Sequence, residues 1–248
     1  MATAKGGPLR AGEGSRVSRK RTAGAEDYFF LAMALWIATV VFVGFSRTYY
    51  LAGIFRVKLA SPLVHVHGAL FSTWIVMLLA QTGLVFAKRL KWHMKLGLAG
   101  MALAPLMVAV GFATTLAASH RNFAGRDTAT ILAYEMMNLV FFAAFTGWAY
   151  RSRMDRATHK RAIVLATVAL LGPALSRWPY AWLESDAVFY LTLDSFLILL
   201  VAFDLVTRKN VHRVTLIGTA AILAIQAAAH PIAGSGAFQD FLRWVQAV

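Results

Sequence analysis

The stretch "SPLVHVHGALFSTWIVMLLAQTGLVFA", residues 61–87, decides the fold of this chain. It contains no aspartate, glutamate, lysine or arginine, and Lys88 and Arg89 follow it directly. About 20 consecutive apolar residues are enough to cross the hydrocarbon core of a bilayer. Ser61 is a suitable N-cap, and Pro62 fits the first helical position. The stretch therefore predicts a transmembrane helix.

Six further apolar runs have the same character, so the sequence predicts an all-α integral membrane bundle of seven transmembrane helices. We expect these helices near residues 27–49, 62–87, 93–118, 128–150, 160–178, 187–206 and 213–232. Residues 1–26 are basic and rich in glycine, which is typical of a disordered tail, and residues 27–232 form the transmembrane domain. The remaining segment, residues 233–248, contains "AFQDFLRWVQ", which predicts a short amphipathic helix.

The composition limits the possible partners and cofactors. Of the 248 residues, 59% are hydrophobic and 15% are charged, whereas a soluble domain has roughly 25% charged residues. The chain contains no cysteine, which excludes disulfides, iron–sulfur clusters and thiolate metal sites. Its net charge of +14 comes from short basic clusters between apolar runs. We interpret these clusters as orientation signals for a lipid bilayer and expect no nucleic-acid partner.

The distribution of basic residues predicts the orientation. Eighteen of the 25 lysines and arginines lie in residues 1–26, 88–95, 151–161 and 208–213, all on one side of a seven-helix arrangement. The positive-inside rule then places the amino terminus in the cytoplasm and the carboxyl terminus outside, in the inner (plasma) membrane of a bacterium. The last predicted helix has no lysine, which excludes a retinal protein of the usual kind.

Three histidines begin alternate helices. His93, His159 and His212 are each followed within two residues by a basic residue at the predicted cytoplasmic surface. Such positions favour basic and amphipathic residues for contact with lipid headgroups. His93 also precedes Gly97 and Gly100, and small residues leave room for close helix packing or a flat cofactor.

The two histidines of residues 61–87 point in different directions. At 100° per residue, His65 shares a helix face with the small residues Gly68 and Ser72, whereas His67 points away from it together with Phe71. Imidazoles in hydrocarbon need a partner inside the protein. Because small residues allow a helix or ligand to approach, we expect His65 to be the ligand.

Other polar residues reach a similar depth in the predicted outer half of the bundle. They are Glu135, Asn138, Arg177, Asp194, Gln226 and His230, with Arg47 nearby. Buried charges are rare in membrane helices without a function, although ion pairs between helices have the same appearance. The cluster predicts either a structural ion-pair network or a ligand, metal or cofactor site.

The segments "HVHGALFSTW", "LKWHMKLGLAG" and "THKRAIVLATVALLGPALSRW" resemble those of a group of uncharacterised bacterial membrane proteins. The likeness covers roughly residues 45–180. More distantly, His93 and His159 at the start of alternate helices resemble the axial histidines of transmembrane b-type cytochromes. That resemblance implies haem b between histidine pairs near each surface. Glu135 stands where a histidine opposite His65 is expected, so an outer pair would need His230 or His120.

Two chemical functions follow from these residues. A haem-binding redox protein would use His93 and His159 as the inner axial pair and His65 with His230 as an outer pair. A metal-dependent enzyme would instead hold zinc or iron, with a carboxylate as further ligand or general base. Its metal ligands would be His65, His67 and His230, and its catalytic residues Glu135 and Asp194.

Two other functions remain open. A proton-coupled transporter would use Glu135 and Asp194 as its proton relay, although the helices show no convincing inverted halves. An accessory subunit of a larger membrane complex would use the polar residues only for helix packing. The sequence favours the haem or metal redox role, with other membrane subunits or an electron-transfer protein as partners.

Overall fold

The computed structural model describes residues 24–57, 61–120, 127–180 and 185–247. Within these ranges the chain forms helices and no strand. Their bounds are α1 Ala25–Phe45, α2 Pro62–Phe86, α3 Leu90–Ala117, α4 Thr128–Arg151, α5 Arg156–Ala169, α6 Gly172–Leu175, α7 Asp186–Arg208, α8 Arg213–Ala233 and α9 Gly236–Ala247. A π-helical turn, Ser46–Tyr50, continues α1. Of the predicted tail, residues 1–23 lie outside the described residues, and Ala25 and Glu26 already belong to α1.

Six of these helices are long and apolar enough to cross a membrane: α1 with its π-helical turn, α2, α3, α4, α7 and α8. The all-helical membrane bundle predicted from the sequence is thereby confirmed. The helix predicted near residues 160–178 differs from the other six. It consists of α5, which has only 14 residues, and the single turn of α6.

The break between α5 and α6 has a local cause. Pro173 has no amide hydrogen to donate to the carbonyl of Ala169, four residues earlier, and its ring would clash with that carbonyl in a continuous helix. The chain therefore bends at Leu170 and Leu171 and resumes as α6. There α6 lies against α1 so closely that a Cβ atom on Gly44 would be 2.1 Å from the Ala174 carbonyl oxygen. Glycine at position 44 is required by this contact.

Two helices begin with the same cap. Asp127 accepts hydrogen bonds from the Ala129 and Thr130 amides, and Asp155 accepts them from the Ala157 and Thr158 amides. These bonds satisfy free N–H groups at the starts of α4 and α5. The hydrogen bond from the Thr130 hydroxyl is the main cause that lowers the pKa of Asp127. The Thr158 hydroxyl lowers the pKa of Asp155 in the same way.

The bundle is most tightly packed around α5. Nine of its 14 residues are buried, and it contacts α1, α4, α7 and α8. By contrast, α2 buries only Trp74 and Leu78 among its 25 residues. It packs on α1 and α3, and most of its residues are half-buried. The short, broken helix is therefore the centre of the bundle.

The two ends of the bundle can be named by residues that lie there. At the Glu26 end, α1, α3, α5 and α8 begin, and Lys160 forms an ion pair with Glu26. At the Pro62 end, α2, α4 and α7 begin, and α6 follows α5. The chain from residue 156 to residue 175 thus runs from the Glu26 end to the Pro62 end. There α9 also packs: Leu242 is buried against Ala129, and the Gln246 side chain donates to the Ser119 carbonyl.

Candidate functional sites

His93 and His159 come together at the Glu26 end. Their imidazole ring centroids lie 6.3 Å apart, and the ring planes are nearly perpendicular, at 89°. His93 belongs to the first turn of α3 and His159 to the first turn of α5, and both residues are half-buried. The structure thus brings together the two histidines predicted as the inner pair.

The Nδ1 atoms of His93 and His159 have different surroundings. The Ala149 carbonyl lies 2.8 Å from His159 Nδ1 and can only accept, so Nδ1 donates and Nε2 keeps its lone pair. A histidine that binds a metal has this arrangement, because a hydrogen bond at one nitrogen fixes the tautomer and orients the other. His93 Nδ1 is buried and has no hydrogen bond. The two rings therefore lie side by side, and the His93 ring also interacts with the Gln81 backbone.

The glycines that follow His93 have one of the two expected roles, which is close helix packing. A Cβ atom on Gly97 would lie 3.1 Å from the side-chain nitrogen of Gln81, and one on Gly100 would lie 3.2 Å from the Met77 methyl group. The space beside these glycines is thus filled by side chains of α2. They allow α2 and α3 to pack closely, as small residues do in membrane helices.

His212, the third histidine of this series, is a helix cap. Its Nδ1 atom accepts a hydrogen bond from the Val214 amide at 3.2 Å, which begins α8. Burial lowers the pKa of His212, and the guanidinium groups of Arg161 and Arg208 lower it further. The neutral ring is the form that can accept the Val214 bond. His212 therefore serves the start of α8 rather than the histidine pair.

A buried ion pair joins α5 to α7 near the same end. Arg161 and Asp204 are both fully buried, and Arg161 Nε donates to Asp204 Oδ1 at 2.9 Å. The other carboxylate oxygen, Oδ2, accepts from the Thr215 hydroxyl at 2.6 Å and from the His212 amide at 3.0 Å. Arg161 also donates to the Ala157 carbonyl and lies 3.5 Å from a Glu26 carboxylate oxygen. Both charges are thus fully paired.

Sequence reasoning missed this pair. Arg161 falls within a basic cluster, so it was interpreted as one more surface charge. In the structure α5 begins at Arg156, which places Arg161 more than one turn inside the bundle. The available signal was Asp204, an acidic residue within the apolar run "LILLVAFDLV", which requires a basic partner in the bundle.

At the Pro62 end the two histidines of α2 have different surroundings. The small face beside His65 is occupied by the tyrosines of the π-helical turn: a Cβ atom on Gly68 would lie 2.5 Å from the Tyr49 ring, and Ser72 hydrogen-bonds to Tyr50 at 2.8 Å. His65 itself is exposed. The small residues thus accommodate these two aromatic rings, and His65 remains at the surface.

His67 is the histidine that faces the protein. Its ring stacks on Phe71 with centroids 4.0 Å apart, and its Nδ1 atom is buried without a hydrogen bond. The Arg177 guanidinium is close enough to interact electrostatically with His67. Arg177 also donates to the Pro173 carbonyl and lies over the Phe45 ring. In this packing His67, and not His65, faces the protein, and the expectation that His65 is a ligand stays a prediction.

Glu135 and Tyr134 of α4 meet above Gly172. A Cβ atom on Gly172 would lie 3.7 Å from the Tyr134 hydroxyl and 3.8 Å from Glu135 Oε1. Arg177 interacts electrostatically with Glu135 as well as with His67.

The polar groups continue from Tyr134 across the bundle. Asn138 lies one turn further along α4 and is 0% exposed, yet neither atom of its amide has a hydrogen bond. Asn138 contributes to the electrostatic surroundings of the Tyr134 hydroxyl, but the two groups do not reach hydrogen-bonding geometry. Tyr190 packs edge-on against the Tyr134 ring, and Asp194 accepts a 2.8 Å hydrogen bond from Gln226. We call His67, Tyr134, Glu135, Asn138, Arg177, Tyr190, Asp194 and Gln226 the outer polar lane.

The remaining candidates stay at the edge of the bundle. His230 Nδ1 lies 3.4 Å from the Thr130 hydroxyl, Arg47 lies over Phe55, and His120 is exposed. The described residues show no contact between His65 and His230, because α8 packs on α4 and α5 whereas α2 packs on α1 and α3. The expected outer pair of His65 with His230, and the metal set of these two with His67, are therefore not brought together. In the described part of the chain, no three histidine, aspartate or glutamate side chains form a metal-binding group.

The six apolar helices and the polar groups between them define the class of this protein as a multi-pass helical membrane protein. Comparison of the chain with protein-family models, with curated proteins and with solved structures finds no match. The resemblance to b-type cytochromes stays a prediction.

Proposed function

We propose that the protein is a membrane redox protein that holds haem b between His93 and His159. The spacing of the two imidazole rings carries this proposal. With metal–nitrogen bonds of about 2 Å, two imidazoles on opposite sides of one ion have ring centroids about 6 Å apart. Adjacent tetrahedral positions bring the centroids about 1 Å closer. At the observed 6.3 Å, His93 and His159 would be the residues that hold the iron.

The nitrogen atoms also fit such a group. The Ala149 carbonyl holds the His159 ring so that Nε2 is the ligating atom, and the buried His93 Nδ1 atom needs a partner. Haem supplies one-electron transfer when it is bound. His93 and His159 would hold the iron, and the Ala149 carbonyl would orient one of them. The partner would be another electron carrier in or beside the membrane.

The absorption spectrum of the purified protein tests this proposal. We expect the sharp visible bands of low-spin haem on reduction, and we expect their loss in His93→Ala and His159→Ala. His65→Ala is the matched control, because His65 is exposed and should leave the bands unchanged. A colourless protein with stoichiometric zinc or iron would instead support a metal centre without haem. Unchanged bands in His93→Ala would contradict the assignment of this ligand.

The proposal includes a topology of seven crossings, with the amino terminus in the cytoplasm of a bacterial cell and the carboxyl terminus outside. It is supported by residues 156–175, which join the two ends of the bundle, and by the 18 of 25 basic residues on the Glu26 side. In right-side-out vesicles, external protease should remove a carboxyl-terminal tag. Protection there, with cleavage in inverted vesicles, would contradict this orientation.

A further inference from the structure

The outer polar lane differs from ordinary helix packing in having several buried polar atoms without partners. Tyr134 is 8% exposed and Asn138 is 0% exposed, and the Tyr134 hydroxyl and both Asn138 amide atoms lack hydrogen bonds. His67 Nδ1 shares this condition. Leaving a buried donor or acceptor unpaired costs about 1–3 kcal/mol per group. If these groups served only to pack helices, apolar side chains could replace them with no loss of folding stability.

Two of the lane's groups converge on one point. The Tyr134 hydroxyl and Glu135 Oε1 lie 3.7 and 3.8 Å from the Cβ position of Gly172, and the Tyr134 ring packs against the same position at 3.1 Å, so glycine there lets the ring approach closely. The Tyr134 hydroxyl is both a donor and an acceptor, and a carboxyl group changes from acceptor to donor when it is protonated. These are the properties needed for transfer of a proton along hydrogen bonds.

We propose that Glu135 is a proton-exchange site and that Tyr134 is its hydrogen-bonding partner. The carboxylate takes up one proton from water at the Pro62 end, and the same O–H bond breaks when the proton is released. No electron or other group is transferred. The proposal is independent of haem binding at His93 and His159.

The charged and titratable groups around Glu135 come from several elements. Arg177, which follows α6, and Tyr134 of α4 interact with Glu135 directly. His67 of α2 interacts with Arg177, and Tyr190 and Asp194 of α7 interact with Tyr134. Arg177 stabilises the ionised carboxylate by its positive charge, whereas Asp194 lies beyond Tyr134 and is hydrogen-bonded to Gln226, a residue of α8. Glu135 and Asp194 thus have different partners. The test must therefore distinguish protonation of Glu135 from protonation of Asp194.

Infrared spectroscopy of the full chain in lipid nanodiscs tests the proposal. We expect the absorption of a protonated carboxyl group that disappears reversibly as the pH is raised. Glu135→Gln should abolish this band, and the matched control Asp194→Asn should retain it. Absence of a titrating band, its persistence in Glu135→Gln, or its loss only in Asp194→Asn would overturn the proposal.

A second variant decides the question if Glu135→Gln does not fold. Tyr134→Phe removes only the hydroxyl group, so the carboxyl band should change frequency and exchange its proton for deuterium more slowly. Tyr150→Phe is the control, because Tyr150 is exposed at the end of α4 near the Glu26 end. A band with the same frequency and exchange rate in Tyr134→Phe as in the original chain would overturn the role of Tyr134 and the proposal with it.

Discussion

The Arg161–Asp204 network and the outer polar lane are both polar interiors of one membrane bundle, but only the first is internally complete. Each oxygen of Asp204 accepts hydrogen bonds, and Arg161 is paired with Asp204 and with the Ala157 carbonyl. In the lane, Asn138 and the Tyr134 hydroxyl have no hydrogen bonds although both residues are buried.

This difference separates two reasons for placing polar groups in a membrane. A complete network fixes the positions of α5, α7 and α8 relative to one another, and its groups have no capacity left for a ligand. Buried polar groups without hydrogen bonds reduce stability, because each has lost its hydrogen bonds to water and has gained none within the protein. We therefore expect substitutions in the two regions to change stability in opposite directions.

The largest effect should come from Arg161→Met. It leaves the Asp204 carboxylate buried without a counter-charge, which costs about 3–5 kcal/mol. The double variant Arg161→Met/Asp204→Leu should recover much of this loss, since no charge is then stranded. Thermal unfolding in a mild detergent measures both variants.

Asp240→Asn is the control for this experiment. Asp240 pairs with Arg243 within α9, both side chains are exposed, and exposed ion pairs contribute about 0–1 kcal/mol. Its unfolding temperature should therefore stay close to that of the original chain. Equal losses from Arg161→Met and Asp240→Asn would show that Arg161 has access to water, and the contrast between the two regions would fail.

A smaller effect of opposite sign should distinguish Asn138→Leu from Thr215→Val. Leucine removes an amide that has no hydrogen bond, so stability should be unchanged or increase by about 1 kcal/mol. Valine at position 215 removes a donor to Asp204 Oδ2 and should cost about 1–3 kcal/mol. The same unfolding measurement compares them, and a larger loss in Asn138→Leu would mean that the lane is packed as completely as the network.

The sequence predicted the helices better than their contacts. Long apolar runs identify membrane helices by length and composition, and six of them were placed correctly within a few residues. The exception is α5, because Pro173 lies inside the predicted apolar run and shortens the helix. Helix periodicity also suggested that His65 faces inward, but periodicity cannot show that Tyr49 and Tyr50 fill the small face beside it.

Of the two pairs of residues that join different helices, the sequence predicted one and missed the other. His93 and His159 were recognised because they begin alternate helices, and the structure brings their rings to 6.3 Å. Arg161 and Asp204 were not recognised, since their pairing depends on how α5 and α7 meet in space. Most polar residues of the lane were identified from their position along the predicted helices. Tyr134 and Tyr190 were missed, because aromatic residues are common in apolar helices.

The Arg161–Asp204 pair also affects the order in which the chain can be assembled during translation. Asp204 lies 43 residues after Arg161, so α5 leaves the ribosome before its counter-charge exists. At 5–20 residues per second, the delay is roughly 2–9 seconds. Glu26 is made earlier and lies 3.5 Å from the Arg161 guanidinium in the folded protein, so α1 offers an anion to α5 during that time. Arg161 therefore acquires its buried counter-charge only once α7 has been made, and a ribosome stalled before Asp204 would leave Arg161 with Glu26 alone.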